Sequence, residues 1–166
     1  WVNLVTDSLP AIALGVDGID PDIMSHKPVS PKKSLFADGL GLNIFIEGVM
    51  IGMLSLLTFG IATVRYADLT VARTMAFAVL CLSRLLHGYN CKAGKPVIFT
   101  GEFFDNRFMQ GAFLSGFVLL TAVLAVPVLH GFFAVQTLKI GELLAVYGLS
   151  GVSMLVIQGL KRMGKF

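Results

Sequence analysis

Long apolar runs divided by polar loops constrain this chain more than any other feature. The runs cover residues 39–64, 71–89, 105–128 and 140–160, with a shorter one at 1–16. A helix needs about 20 apolar residues to cross the hydrocarbon of a bilayer. No water is available there for backbone N–H and C=O groups, so apolar spans of that length fold as helices that satisfy their own hydrogen bonds. With 55% hydrophobic and 14% charged residues, an ordinary soluble domain is excluded. The fold class that follows is all-α: one polytopic transmembrane helical bundle over residues 1–166, with about five membrane segments. The first, from Trp1 to Val16, is short of a full span, and no initiating Met or signal peptide precedes it. The expectation is that its upstream part is missing.

Between the spans the chain changes character. Residues 17–34 hold Pro21, Pro28 and Pro31 with Lys27, Lys32 and Lys33, which reads as a turn-rich loop. Residues 90–104 form a second polar loop with Lys92, Gly94, Lys95 and Pro96. The turn Arg65 to Thr70 is so short that its flanking spans must run antiparallel. Cytosolic loops collect Lys and Arg. Placing 17–34 inside also puts 90–104 and the tail with Lys161, Arg162 and Lys165 inside, leaving Arg65, Arg73 and Lys139 opposite. That alternation predicts a multi-pass protein of the cell membrane. A net charge of +3 then meets anionic lipid headgroups, and no nucleic-acid footprint is present. Cys81 and Cys91 match neither a metal knuckle nor a disulfide framework and read as free thiols. Gly48 with Gly52, and Gly111 with Ser115, have the small-xxx-small spacing that lets helices approach closely. Met50, Met53 and Met75 read as packing.

One polar cluster stands inside an apolar helix. Asn3, Thr6 and Asp7 fall at i, i+3 and i+4, so their oxygens converge on one face. Pro10 gives no N–H to the Thr6 carbonyl and crowds it, so the helix should open there and expose backbone oxygen. Carboxylate, amide and carbonyl oxygens together hold hard cations such as Ca²⁺. The same residues also read as a solvated helix cap followed by Pro. Trp1, Val2, Leu4, Val5 and Leu9 surround Asp7, and an aspartate at the centre of a membrane helix costs about 2.5–3.5 kcal/mol on insertion scales, which points to function. Glu47, at i+4 from Asn43, reads as a proton-path residue, a partner for a basic group, or a local hydrogen-bonding residue near the interface, and not as a ligand. His87, at i+3 from Arg84, reads as a headgroup-level histidine.

The run from Asn3 through Asp7 and Pro10 to Gly15, followed by Asp22-Ile23-Met24 and the Lys27-Pro28 step, closely resembles P-type Ca²⁺-transporting ATPases of the sarcoplasmic-reticulum type. Thr74-Met75-Ala76-Phe77-Ala78-Val79-Leu80 is similar to the eighth membrane helix of that family. The resemblance implies that these segments are the sixth to tenth membrane helices of a pump. The short turn after Arg65 resembles bacterial members. Carried over by position, Asn3, Thr6 and Asp7 match residues that bind Ca²⁺. Na⁺,K⁺ pumps share the Thr-Asp pair without the Asn-Leu-Val context, and Mn²⁺ accepts similar ligands. The loop 17–34 resembles the contact with the phosphorylation domain. Where the muscle-type pump has a glutamate ligand, counting on from Thr74 reaches Arg84 or its neighbour. A guanidinium cannot bind a cation, so Arg84 is expected to take the place of one ion and face Asp7, giving one Ca²⁺ per cycle. The competing reading has Arg84 snorkel to headgroups.

What the resemblance implies is part of an ATP-driven Ca²⁺ pump, an enzyme only as part of the whole translocase. Its partners are the upstream helices and cytosolic domains of the same pump, and membrane lipid. Mg²⁺ and ATP belong to the full-length protein. Neither an Asp-Lys-Thr-Gly-Thr phosphorylation motif nor a Gly-rich phosphate loop occurs between Trp1 and Phe166. The alternative is a stand-alone cation/proton exchanger, or a non-enzymatic membrane scaffold, using Asp7 and Glu47.

Overall fold

A computed structural model describes residues 3–18, 23–25, 28, 30, 34, 36, 39–92, 96–98 and 103–163. Lys27, Lys32, Lys33, Lys95, Lys165 and the Asp22 position, on which the sidedness and part of the resemblance draw, lie outside the described residues. A π-helical turn, Leu4–Ser8, runs into α1, Leu9–Gly15. Then come a single 3₁₀ turn, Ile23–Ser25, and the helices α2 (Leu40–Tyr66), α3 (Leu69–Cys91), α4 (Arg107–Ala125), α5 (Pro127–Phe133) and α6 (Ile140–Arg162). Among the described residues there is no strand. Helices α2, α3, α4 and α6 are long and apolar enough to cross a membrane, and Leu4–Gly15 is a shorter apolar helix. The chain is a helical membrane bundle and a multi-pass membrane protein.

Local chemistry sets the helix ends. Gly39 enters α2 at φ 84, and Ala67 ends it in the left-handed conformation at φ 50. Asp68 then caps α3, accepting from Thr70 N at 2.8 Å and Val71 N at 3.2 Å. Those backbone donors hold the exposed Asp68 carboxyl below its ordinary range. Two residues therefore reverse the chain, and α2 and α3 lie antiparallel. Asn106 caps α4 by accepting from Met109 N at 2.9 Å. The fourth span ends earlier than expected. Val126, at φ −94 and ψ 109, is extended because Pro127 follows it, and the chain resumes as α5 where the sequence reads as span end and loop.

Helix α3 is the centre of the bundle. Ala72, Ala78, Val79, Leu82 and Leu85 are buried in one cluster with Leu120 and Leu124 of α4 and Val146 of α6. The closest approach lies at Gly116, where an added Cβ would meet Leu85 Cδ1 at 2.7 Å. The expected close pair at Gly111 and Ser115 is off by one helical position: a Cβ at Gly111 would touch nothing, because the face of α4 that meets α3 passes through Gly116. Gly48 and Gly52 likewise have no neighbour within 4 Å of an added Cβ among the described residues. A second cluster of Ala13, Tyr89, Met109, Ala112 and Met154 fastens α1 to α3, α4 and α6. At the end of α3, Gln158 is fully buried. It accepts from Val97 N at 2.6 Å and donates to Asn90 Oδ1 at 2.8 Å, which ties the loop after α3 to α6.

Candidate functional site

The polar cluster sits in the π-helical turn. A π-turn carries one residue more than the α-helical repeat and recurs at functional positions. The helix does not break at Pro10. Ser8 (φ −68, ψ −43) and Leu9 (φ −65, ψ −48) stay helical, and Pro10 lies in the first turn of α1, where its missing N–H does no harm. The opening expected from Pro10 therefore takes the form of a widened turn just before it. Thr6 is buried and its Oγ1 donates to Asp7 Oδ1 at 2.9 Å. Asn3 lies on the exposed edge of the turn.

Arg84 closes one side of the cluster. Its Nη2 forms an ion pair with Asp7 Oδ2, and its Nη1 donates to Asn3 Oδ1 at 3.2 Å. The guanidinium thus bridges the two residues across 77 and 81 positions of sequence. It does not snorkel along α3 to a headgroup. Both partners keep an open side, with 33% of the Arg84 side chain and 41% of the Asp7 side chain exposed within this chain. The cluster is therefore closed on one side by Arg84 of α3 and remains partly open. Packing fixes this geometry. Gly88 lets α3 approach Pro10, since an added Cβ there would stand 3.1 Å from Pro10 Cβ. Asn106 is buried and its Nδ2 donates to Ala13 O at 2.8 Å, so the last turn of α1 hangs on the cap of α4. Lys92 and Asp17 approach to 4.0 Å beyond that turn. The sequence reading did not single out Asn106 or Gly88. An Asn before the apolar run Phe108-Met109 is a helix-start signal, but its second bond, to α1, has no local signature.

Glu47 is not a member of the cluster. It pairs with His87, Oε2 to Nε2 at 3.5 Å, and His87 in turn lies 3.5 Å from Cys91 Sγ. His87 therefore faces Glu47 of α2. A cavity of about 660 Å³ between α2, α3 and the end of α6 contains this pair, and Arg84 lines it as well. Among the described residues, no group of three or more His, Cys, Asp or Glu side chains is arranged to hold a metal ion. A cation at the π-turn would need further oxygens.

Apolar helices of membrane-spanning length, with an arginine of α3 paired to an aspartate in a widened turn, define a helical membrane protein. Residues 1–163 match the family described as "Cation transporting ATPase, C-terminus", and the chain belongs to that family. It is 37% identical over 160 residues to a "Calcium-transporting ATPase" of Bacillus subtilis, which covers 96% of this chain and 18% of that protein. It is 34% identical over 177 residues to "Calcium-transporting ATPase 1" of Bacillus cereus, covering 97% of this chain and 20% of the relative. A more distant match is "Calcium-transporting ATPase type 2C member 2" of Rattus norvegicus, 29% identical over the whole of this chain and 18% of that protein. The chain thus spans about a fifth of the length of these relatives.

Proposed function

We propose that the chain is the C-terminal membrane part of an ATP-driven Ca²⁺ pump, with Asn3, Thr6 and Asp7 contributing oxygens to the transported ion and Arg84 standing in for a second one. The observation that carries this reading is the guanidinium held by Asp7 and Asn3 together. Unit charges about 4 Å apart at an effective dielectric near 20 interact by roughly 4 kcal/mol, and a divalent ion doubles that. A Ca²⁺ ion beside Arg84 would be repelled on that scale, so one place near Asp7 is closed to cations. Asp7 Oδ1, which accepts from Thr6 Oγ1, and the partly exposed Asn3 side chain would supply oxygens to the ion. Ca²⁺ takes about 6–8 oxygens, more than this cluster holds. The other ligands would come from helices in the rest of the pump, as would Mg²⁺, ATP and the phosphorylated aspartate. The loop 17–34 would contact the phosphorylation domain, and segments 1–16, 39–64, 71–89, 105–128 and 140–160 would stand as the sixth to tenth helices. The stand-alone exchanger and scaffold readings draw no support from the family match.

The test is Asp7→Asn in the full-length protein. It should abolish Ca²⁺-dependent phosphorylation by ATP while the protein still reaches the membrane. Wild-type phosphoenzyme in that variant would remove Asp7 from the ligand set.

A further inference from the structure

Helix α2 carries a second hollow, on the face turned away from the bundle. Its buried residues Ile51, Thr58 and Ala62 mark the side that meets the other helices. With 3.6 residues per turn, Met53, Leu56, Gly60 and Val64 fall on the opposite side. A groove of about 710 Å³ runs there from Met53 to Arg65. Leu56, Leu57, Ile61 and Val64 line it and stay 55–87% exposed. Gly60 leaves its middle open, since an added Cβ would meet nothing within 4 Å. The groove covers about 18 Å of helix at 1.5 Å per residue, and Met53 is the midpoint of α2. The hydrocarbon of a bilayer is about 30 Å thick, so one leaflet is about 15 Å deep and the groove matches a single leaflet. Toward the other end of α2 the same face carries Leu42, Phe45 and Val49, and the groove does not extend over them. A transmembrane partner helix would run on past Met53, whereas an acyl chain ends near the bilayer centre.

Arg65 stands at the mouth of the groove, exposed and with no acidic partner among the described residues. Its guanidinium lies 5.9 Å from the centroid of the Tyr66 ring, and such pairs suit the headgroup level of a membrane. On the sidedness argued from the basic loops, Arg65 is extracytosolic, so the orientation rule does not account for it. We propose that the groove binds one anionic glycerophospholipid of the extracytosolic leaflet, with an acyl chain lying over Gly60 and the phosphate held by Arg65. A guanidinium offers paired N–H donors that match two phosphate oxygens. Its uncompensated charge selects a lipid of net negative charge over a zwitterionic one, whose own ammonium competes for the phosphate. The site does not depend on the pump reading, and only the choice of leaflet rests on the sidedness.

The experiment titrates the delipidated full-length protein in detergent with dioleoyl phosphatidylglycerol or dioleoyl phosphatidylcholine and counts bound lipid by native mass spectrometry. Wild type is compared with Arg65→Gln, with Gly60→Leu, which fills the groove and leaves its charge alone, and with Arg73→Gln, an exposed cation of α3 outside the groove. The expected result is one phosphatidylglycerol held more tightly than phosphatidylcholine, weakened about tenfold or more in Arg65→Gln and in Gly60→Leu and unchanged in Arg73→Gln. Equal phosphatidylglycerol binding by wild type and Arg65→Gln would overturn the proposal, as would equal binding of the two lipids by wild type. If another helix of the full-length protein fills the groove, Gly60→Leu lowers the thermal unfolding temperature while Arg65→Gln leaves lipid binding as it was, and the proposal fails. Should Gly60→Leu not fold, the exposed position 65 decides alone. Arg65→Lys keeps the charge without the paired donors and should bind between wild type and Arg65→Gln, and three equal affinities would remove the site.

Discussion

Helices α2 and α3 are joined by two residues and share one orientation axis, yet they occupy different surroundings. The most apolar stretch of α2 has a mean hydropathy of 2.0 and only 11% of it is buried within the bundle, whereas that of α3 has 1.6 and is 56% buried. In water the more apolar helix would take the centre. In a bilayer lipid is as apolar as leucine, so hydropathy draws a helix into the membrane without telling it what to touch. What draws α3 inward is small and polar: Ala72, Ala78, Thr74, Ser83 and Asn90 are all buried, and Arg84 and His87 face partners. Helix α2 presents Phe45, Leu56, Leu57, Ile61 and Val64 outward.

The sharpest way to break this contrast is a matched truncation. Leu85→Ala on α3 empties a fully buried site against Gly116 and should lower stability by about 2–5 kcal/mol, while Leu57→Ala on α2 should stay within roughly 0.5 kcal/mol. Thermal unfolding of the purified protein in detergent reads both, and equal losses would erase the distinction. Asn106→Ala comes next. It removes a cap worth about 1 kcal/mol and the tether to Ala13 O. A fall in apparent Ca²⁺ affinity larger than that of Thr121→Ala, a helix-internal hydroxyl far from the site, would show that α3 and α4 together hold the π-turn.

The smallest effect concerns the link itself. The folded-state carboxyl of Asp68 lies below its ordinary value, so its stabilising bonds are fully present above the unfolded pKa near 3.9 and vanish as pH falls through the folded value. The stability gap between wild type and Asp68→Ala should therefore narrow below about pH 4. A gap that widens on acidification would reverse that sign.

Much of this bundle was legible because long apolar runs and polar turns are strong local signals. The reversal, for example, was read as the short turn Arg65–Thr70, which the structure tightens to Ala67-Asp68. Helix α5 was not legible, since Pro127 ends one helix and starts another inside an unbroken apolar run. Gly111 and Gly116 show why spacing alone misplaces contacts: both have small neighbours, and only the rotation of α4 against Leu85 selects between them. Around the candidate site, the convergence of Asn3, Thr6 and Asp7 is a property of one turn and reads directly from spacing. Pro10 signalled a disturbance, but spacing did not give its form, a π-turn before a proline that packs against Gly88 of α3. The Glu47–His87 pair lies across two helices, and no single helix's sequence encodes it.

The account turns on whether Arg84 occupies the place of an ion. Ca²⁺ carried per ATP hydrolysed, measured with the reconstituted full-length pump, answers this most directly. A ratio of one is predicted, and a ratio of two would mean that the guanidinium leaves Asp7 and Asn3 free for a second cation.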